Sequence, residues 1–325
     1  MNITAREFLI IPMNDQNFAF VFPGQGSQIV GMGKALAQSF TVANETFTQA
    51  DDVLGFSLSK VAWEGPEESL NDTINTQPAL FTHSIAVHQV IRSLYPDLKP
   101  SFVAGHSMGE LSALVAAGAL TFIDGLKLVR IRGELMKNAG EKSPGGMAAV
   151  LGMDITLLEQ LCSEASNKSE IVQVANDNCP GQVVISGSNN ALDRVQPHLE
   201  AAGAKRVIRL AVSIAAHSPY MATVQADFNK TVASTPIHAP LIPTIGNVTA
   251  MPLLDANHIR EDLQNQLTHR VRWTETVQFL TGQGISMFLE IGSGSVLSGL
   301  IKRIDRNVIT ISIGSPDDFR HLHSL

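Results

Sequence analysis

A chain of 325 residues, 44% hydrophobic and 16% charged, has ample material for a buried core and excludes a disordered or fibrous protein. Its net charge of −7 argues against nucleic acid or an anionic membrane as the main partner, although a local basic patch could still meet an acidic protein. The two cysteines, Cys162 and Cys179, form no CxxC and no zinc-ligand spacing, which points to a reducing compartment and to no metal.

No apolar run reaches the roughly 18 residues of a membrane span. Phe8–Ile11 is too short for the core of a signal peptide, so the expected location is the cytoplasm. Residues 1–15 read as a loose N-terminal arm. Phe18–Phe22 is an apolar run closed by Pro23-Gly24, the pattern of a buried strand. The loop Gly24-Gln25-Gly26-Ser27-Gln28 follows, then a helix expected around residues 29–39. The loop could cradle an anion on its N–H groups, but it lacks both the dinucleotide fingerprint and the P-loop lysine. Its other use would be to donate an N–H to an oxyanion.

Residues 101–105 read as a second core strand, with a helix from Met108 to Ala117. Between them lies Gly105-His106-Ser107-Met108-Gly109, a G-x-S-x-G sequence at a strand-to-helix junction. In that setting the serine hydroxyl is presented as a nucleophile, and the first helical turn offers unpaired N–H groups to an oxyanion. The plainer reading is a glycine-flanked turn. The next helix, Thr121–Asn138, opens with a capping pair, Thr121 and Asp124. Leu128, Val129, Ile131, Leu135 and Met136 form its apolar arc, and Arg132 falls inside that arc. A buried guanidinium needs an anion: either a ligand carboxylate, or an internal partner such as Glu110.

Residues 145–212 read as strand, helix, two strands, helix and strand, with boundaries near 147–151, 155–165, 171–175, 183–186, 192–202 and 207–212. This βαββαβ order is ferredoxin-like. Inserted into an alternating α/β chain with later strands near 241–246, 286–291 and 308–313, it predicts a larger α/β domain. That domain, residues 16–140 and 213–315, would carry a parallel sheet flanked by helices, with a small subdomain at 141–212. Of the ten histidines, His83, His88, His258 and His269 read as surface or structural residues. His217 precedes Ser218-Pro219, a helix start expected to run to about residue 233. The positive helix end should keep it neutral and able to act as a base.

Taken in order, Phe22-Pro23-Gly24-Gln25-Gly26-Ser27-Gln28, Thr76-Gln77-Pro78-Ala79 and Gly105-His106-Ser107-Met108-Gly109-Glu110 resemble the malonyl-CoA:acyl carrier protein transacylases. Arg132-Gly133, the stretch Asn176 to Gly187 and Glu290-Ile291-Gly292 add to the resemblance, which spans about residues 18–313 and includes the acyltransferase domains of polyketide synthases. It implies a hydrolase-like α/β domain with an inserted ferredoxin-like subdomain, with Ser107 as acyl carrier, His217 as base and Arg132 as partner of the malonyl carboxylate. Gln25 and Met108 would supply the oxyanion N–H groups, the Gln266 backbone carbonyl would orient the histidine, and Asn178 and Asn247 would lie near the pocket. It further implies no bound cofactor. The substrates would be malonyl-CoA and a 4′-phosphopantetheinylated acyl carrier protein, serving fatty acid or polyketide synthesis, in a protein expected to be a monomer. A thioesterase or hydrolase using the same Ser/His pair is the alternative, and a catalytically silent carrier-docking module is a third reading. Two positions depart from the pattern. Ala216 stands where serine or phenylalanine is common, which would enlarge the pocket, and Ser293 replaces a common proline.

Overall fold

The computed structural model describes residues 17–322; the expected arm at 1–15 lies outside them. Ten strands are present among these residues. In chain order they are β1 Phe18–Phe22, β2 Phe102–Gly105, β3 Gly145–Leu151, β4 Val172–Cys179, β5 Gln182–Ser188, β6 Arg206–Arg209, β7 Thr244–Ile245, β8 Pro252–Leu253, β9 Met287–Ile291 and β10 Ile309–Ile313. One sheet has the order β10-β9-β1-β2-β7-β8, parallel except for the last pair. The other has the order β4-β5-β3-β6 and is antiparallel throughout. With helices Ile155–Ala165 and Asn189–Ala201 it is the expected ferredoxin-like arrangement.

Every residue of β1 and β2 is buried, because a central parallel sheet is covered by helices on both faces. Phe20 and Phe22 pack toward the helix Thr73–Leu94 and lie edge-on to its His88, with ring centroids 6.1 and 6.4 Å apart. His83 and His88, read from sequence as surface or structural residues, are core residues of this helix. Burial pushes both down to about 4 from the ordinary 6.5.

That burial makes a stability prediction. Below pH 6.5 the unfolded chain protonates His88 while the folded chain does not, so the stability contributed by the neutral ring is full above 6.5 and falls toward pH 4. Relative to wild type, His88→Leu should gain about 2 kcal/mol between pH 6.5 and pH 5. Paired urea melts at the two pH values measure it.

Several segments differ from the sequence expectation, among them the strand near 241–246, which is only β7 Thr244–Ile245. The helix predicted at 29–39 begins only at Lys34, because Gly31 and Gly33 hold left-handed backbone at φ 99° and 79° that no helix accommodates. Strand β4 runs on through the polar Asn176-Asp177-Asn178, because two bulges keep it paired with β5 while Val271 bridges its other side. Strand β6 ends at Arg209 rather than 212. The Leu210 N–H makes a last bond to Met147, after which the chain leaves the sheet edge and lines a cleft.

Candidate active site

Strand β2 ends at Gly105, and the helix Gly109–Ala116 begins four residues later, leaving a turn with Ser107 at its tip. Ser107 itself holds left-handed backbone, φ 54°, which for a non-glycine residue costs about 1–3 kcal/mol. The two motif glycines serve close approach rather than unusual φ. A Cβ on Gly105 would stand 2.0 Å from the Gly109 backbone, and one on Gly109 would stand 2.2 Å from the Phe22 carbonyl. The turn is thereby pressed against the end of β1, where the Gln25 loop departs. Neither the Gln25 nor the Met108 N–H has an acceptor among the described residues, which leaves both available to an oxyanion.

His217 meets the serine across 110 residues of chain, with Nε2 to Ser107 Oγ at 2.8 Å. Its Nδ1 lies 2.9 Å from the Gln266 carbonyl and 3.2 Å from that of His269. Gln266 is the last residue of the helix Ala256–Gln266, so its carbonyl is one of the terminal acceptors a helix cannot satisfy internally. With Nδ1–H donating there, Nε2 is left to accept the serine proton. The segment after His217 is a 3-10 turn, Pro219–Met221, leading into the helix Ala222–Ser234. The neutrality expected from a helix end has a different principal cause. Burial first, and the Arg132 charge second, push His217 down to about 3, against the opposing bond to Gln266.

Arg132 is 1% exposed, as its place in the apolar arc requires. It faces neutral acceptors, not the internal carboxylate considered from sequence. Nε and Nη2 donate to Gln266 Oε1 at 3.1 and 2.9 Å, Nη1 donates to Gln77 Oε1 at 2.8 Å, and Nη2 donates to Ser107 Oγ at 3.1 Å. Among the described residues Arg132 has no ion-pair partner. Burial pushes it down to about 10, so it stays charged at neutral pH. A buried cation bonded to the candidate nucleophile and ion-paired with no described residue is suited to an anionic acyl group.

Asn247 Oδ1 accepts the Ser107 N–H at 2.8 Å while its Nδ2 donates to the Gly105 carbonyl at 2.8 Å. Asn178 stands one step back, its Oδ1 2.8 Å from His106 Nε2. Three groups escaped the reading of residues. Gln77, which sits in the Thr-Gln-Pro-Ala stretch, holds Arg132. Gln173 Nε2 donates to the carbonyl of His217, whose φ is also left-handed at 56°. Asp262 packs behind Asn247. Only Gln77 left a signal, as part of a motif. The substituted Ser293 donates to the Ser27 carbonyl at 2.6 Å, pinning the Gln25 loop from outside. Ala216 is buried beside His217.

A cleft of about 560 Å³ is lined by Gln25, Thr73, Lys137, Gly145 and Ile214; of the site residues it touches Gln25, and its lining includes neither Ser107 nor Arg132. A larger one, about 1050 Å³, lies between helix Ile155–Ala165 and residues 268–272 and reaches neither Ser107 nor Arg132. Among the described residues no group of three His, Cys, Asp or Glu is placed to hold a metal, and no helix is long and apolar enough to cross a membrane.

Residues 19–311 match the acyl transferase domain family. A malonyl CoA-acyl carrier protein transacylase of Haemophilus influenzae is 42% identical over 304 residues, covering 94% of this chain and 97% of the relative. An acyl carrier protein S-malonyltransferase structure from Vibrio cholerae superimposes with a TM-score of 0.91 at 40% identity, covering 94% and 100% of the two chains. A malonyl-transacylase solved in complex with its type II polyketide synthase acyl carrier protein gives a TM-score of 0.91 at 41% identity, covering 94% and 98%. The chain belongs to the acyl transferase family.

Proposed function

We propose that this chain moves a malonyl group from malonyl-CoA to the phosphopantetheine thiol of an acyl carrier protein through an ester on Ser107. The observation that carries this reading is the Arg132 guanidinium, buried, paired with no carboxylate among the described residues and 3.1 Å from Ser107 Oγ. The relatives' names supply the same substrates.

His217 Nε2 takes the Ser107 proton as Oγ attacks the thioester carbonyl, and the carbonyl oxygen gains its negative charge facing the Gln25 and Met108 N–H groups. Such donors are worth roughly 3–4 kcal/mol each in comparable sites. The C–S bond breaks, the proton passes from His217 to the coenzyme A sulfur, and the malonyl ester remains with its carboxylate on Arg132. The carrier thiol then enters by the same steps in reverse, its proton going to His217 and then back to Ser107 Oγ. Gln77 and Gln266 hold the guanidinium in place, and Asn247 holds the serine backbone. The cleft at Gln25 and Ile214 is the entrance both thioesters use, between a large unit of residues 16–140 and 213–315 and a small one of 141–212. A cytoplasmic site of action agrees with two free, buried cysteines.

The test is coenzyme A release with and without phosphopantetheinylated carrier protein. Transfer predicts sustained release only with the carrier present. Equal release without it would make the chain a hydrolase, and release never exceeding background in either arm would leave only carrier docking. A methylmalonyl-CoA arm measures how much room Ala216 adds.

A further inference from the structure

Ser107 is held in its left-handed backbone through both neighbouring peptide groups. Asn247 Oδ1 takes its N–H at 2.8 Å, and Gln266 Nε2 donates to its carbonyl at 3.1 Å. These two residues meet at a single atom. Glu110 Oε2 accepts from Gln266 Nε2 at 2.7 Å and from the Asn247 N–H at 3.3 Å. Glu110 lies in the first turn of the helix after the nucleophile and is fully buried.

Its second oxygen, Oε1, has no N–H or O–H partner among the described residues, and the same is true of Oδ2 on the buried Asp262. The two carboxyl groups nonetheless lie close enough to each other for a hydrogen bond. Two facing acceptors make that bond only if a proton stands between them, and two touching carboxylates cannot both stay ionised away from water. The loop 247–249 decides which one keeps the charge. The N–H of Val248 donates to Asp262 Oδ1 at 3.2 Å, and the N–H groups of Asn247 and Thr249 face Asp262 as well.

We propose that Glu110 and Asp262 share one proton, held on Glu110, and that the neutral Glu110 sets acyl selectivity by leaving the Arg132 charge unmatched. The selectivity rests on the malonyl-transfer reading above; the proton does not. Burial and the neighbouring Asp262 push Glu110 well above the ordinary carboxylate range. Among the described residues Gln266 alone bonds both the Glu110 carboxyl group and the Arg132 guanidinium, so an ionised Glu110 would place a full negative charge one amide away from the guanidinium. With the proton in place, the pair's remaining charge sits on Asp262 against backbone N–H groups, and Arg132 keeps its attraction for a substrate carboxylate. Glu110 is therefore a positioning residue: it acts through Gln266 and Asn247 and touches no reacting atom.

Infrared spectroscopy on the substrate-free protein tests the proton directly. The difference spectrum between wild type and Glu110→Gln at neutral pH should show a protonated-carboxyl stretching band in wild type only. Glu110→Gln reproduces the acid form, one amide hydrogen for Asp262 and one oxygen for Asn247 and Gln266. It should keep the malonyl-over-acetyl preference within about threefold. Asp262→Asn donates to Glu110 and leaves it ionised, so it should lose the band and lower the preference about tenfold or more. No Glu110 band in wild type, or Glu110→Gln falling as far as Asp262→Asn, overturns the proposal. Should malonyl-CoA prove not to acylate Ser107, the transfer reading fails while the band still reports the proton.

Discussion

Ser107→Ala should lower kcat for malonyl transfer by roughly 10⁴–10⁶-fold while leaving the fold intact, measured by coenzyme A release against carrier protein. Among the described residues the Ser107 hydroxyl is the group hydrogen-bonded to His217 Nε2, at 2.8 Å. His217→Ala should come close to the same loss, and the double variant should fall little further. The two side chains perform one proton transfer, so removing either removes the step. The residual rate would come from the Gln25 and Met108 N–H groups and from binding alone.

Arg132→Ala should cut the ratio of kcat/KM for malonyl-CoA over acetyl-CoA by about 30- to 5,000-fold, the equivalent of 2–5 kcal/mol for losing one partner of a buried charge pair. Acetyl-CoA has no carboxylate, so its own kcat/KM should change far less. Truncation also strips Gln77 and Gln266 of their donor, and some stability will go with it. The ratio is insensitive to that, because both substrates are measured on the same preparation. A ratio that stays within a few-fold of wild type would remove Arg132 from the acyl pocket.

The sequence made most of the architecture legible because the signals are local. Five consecutive apolar residues, Phe18–Phe22, announce a central strand, and the serine turn announces itself by glycines whose missing side chains the backbone needs. The isolated arginine in an apolar arc was the best single pointer to the site, since burial without a partner is costly. Its partners were not legible. Gln266 lies 134 residues from Arg132 along the chain, and its side chain binds the guanidinium, the serine carbonyl and Glu110 at once. Nothing in the spacing of an amide on the last turn of a distant helix announces such a junction. Glu110 was read as a possible counter-ion because it is acidic and near. The fold turns it toward Asp262, 152 residues further along the chain. The helix expected from residue 29 failed for a smaller reason, two glycines with left-handed backbone inside an otherwise helical pattern.

All of this depends on an acyl ester forming at residue 107. Intact-protein and peptide mass spectrometry after brief exposure to malonyl-CoA, without carrier protein, measures that directly. One malonyl group should appear on the peptide containing Ser107, absent from Ser107→Ala and discharged when phosphopantetheinylated carrier protein is added. Label on any other residue, or label that survives Ser107→Ala, would contradict it.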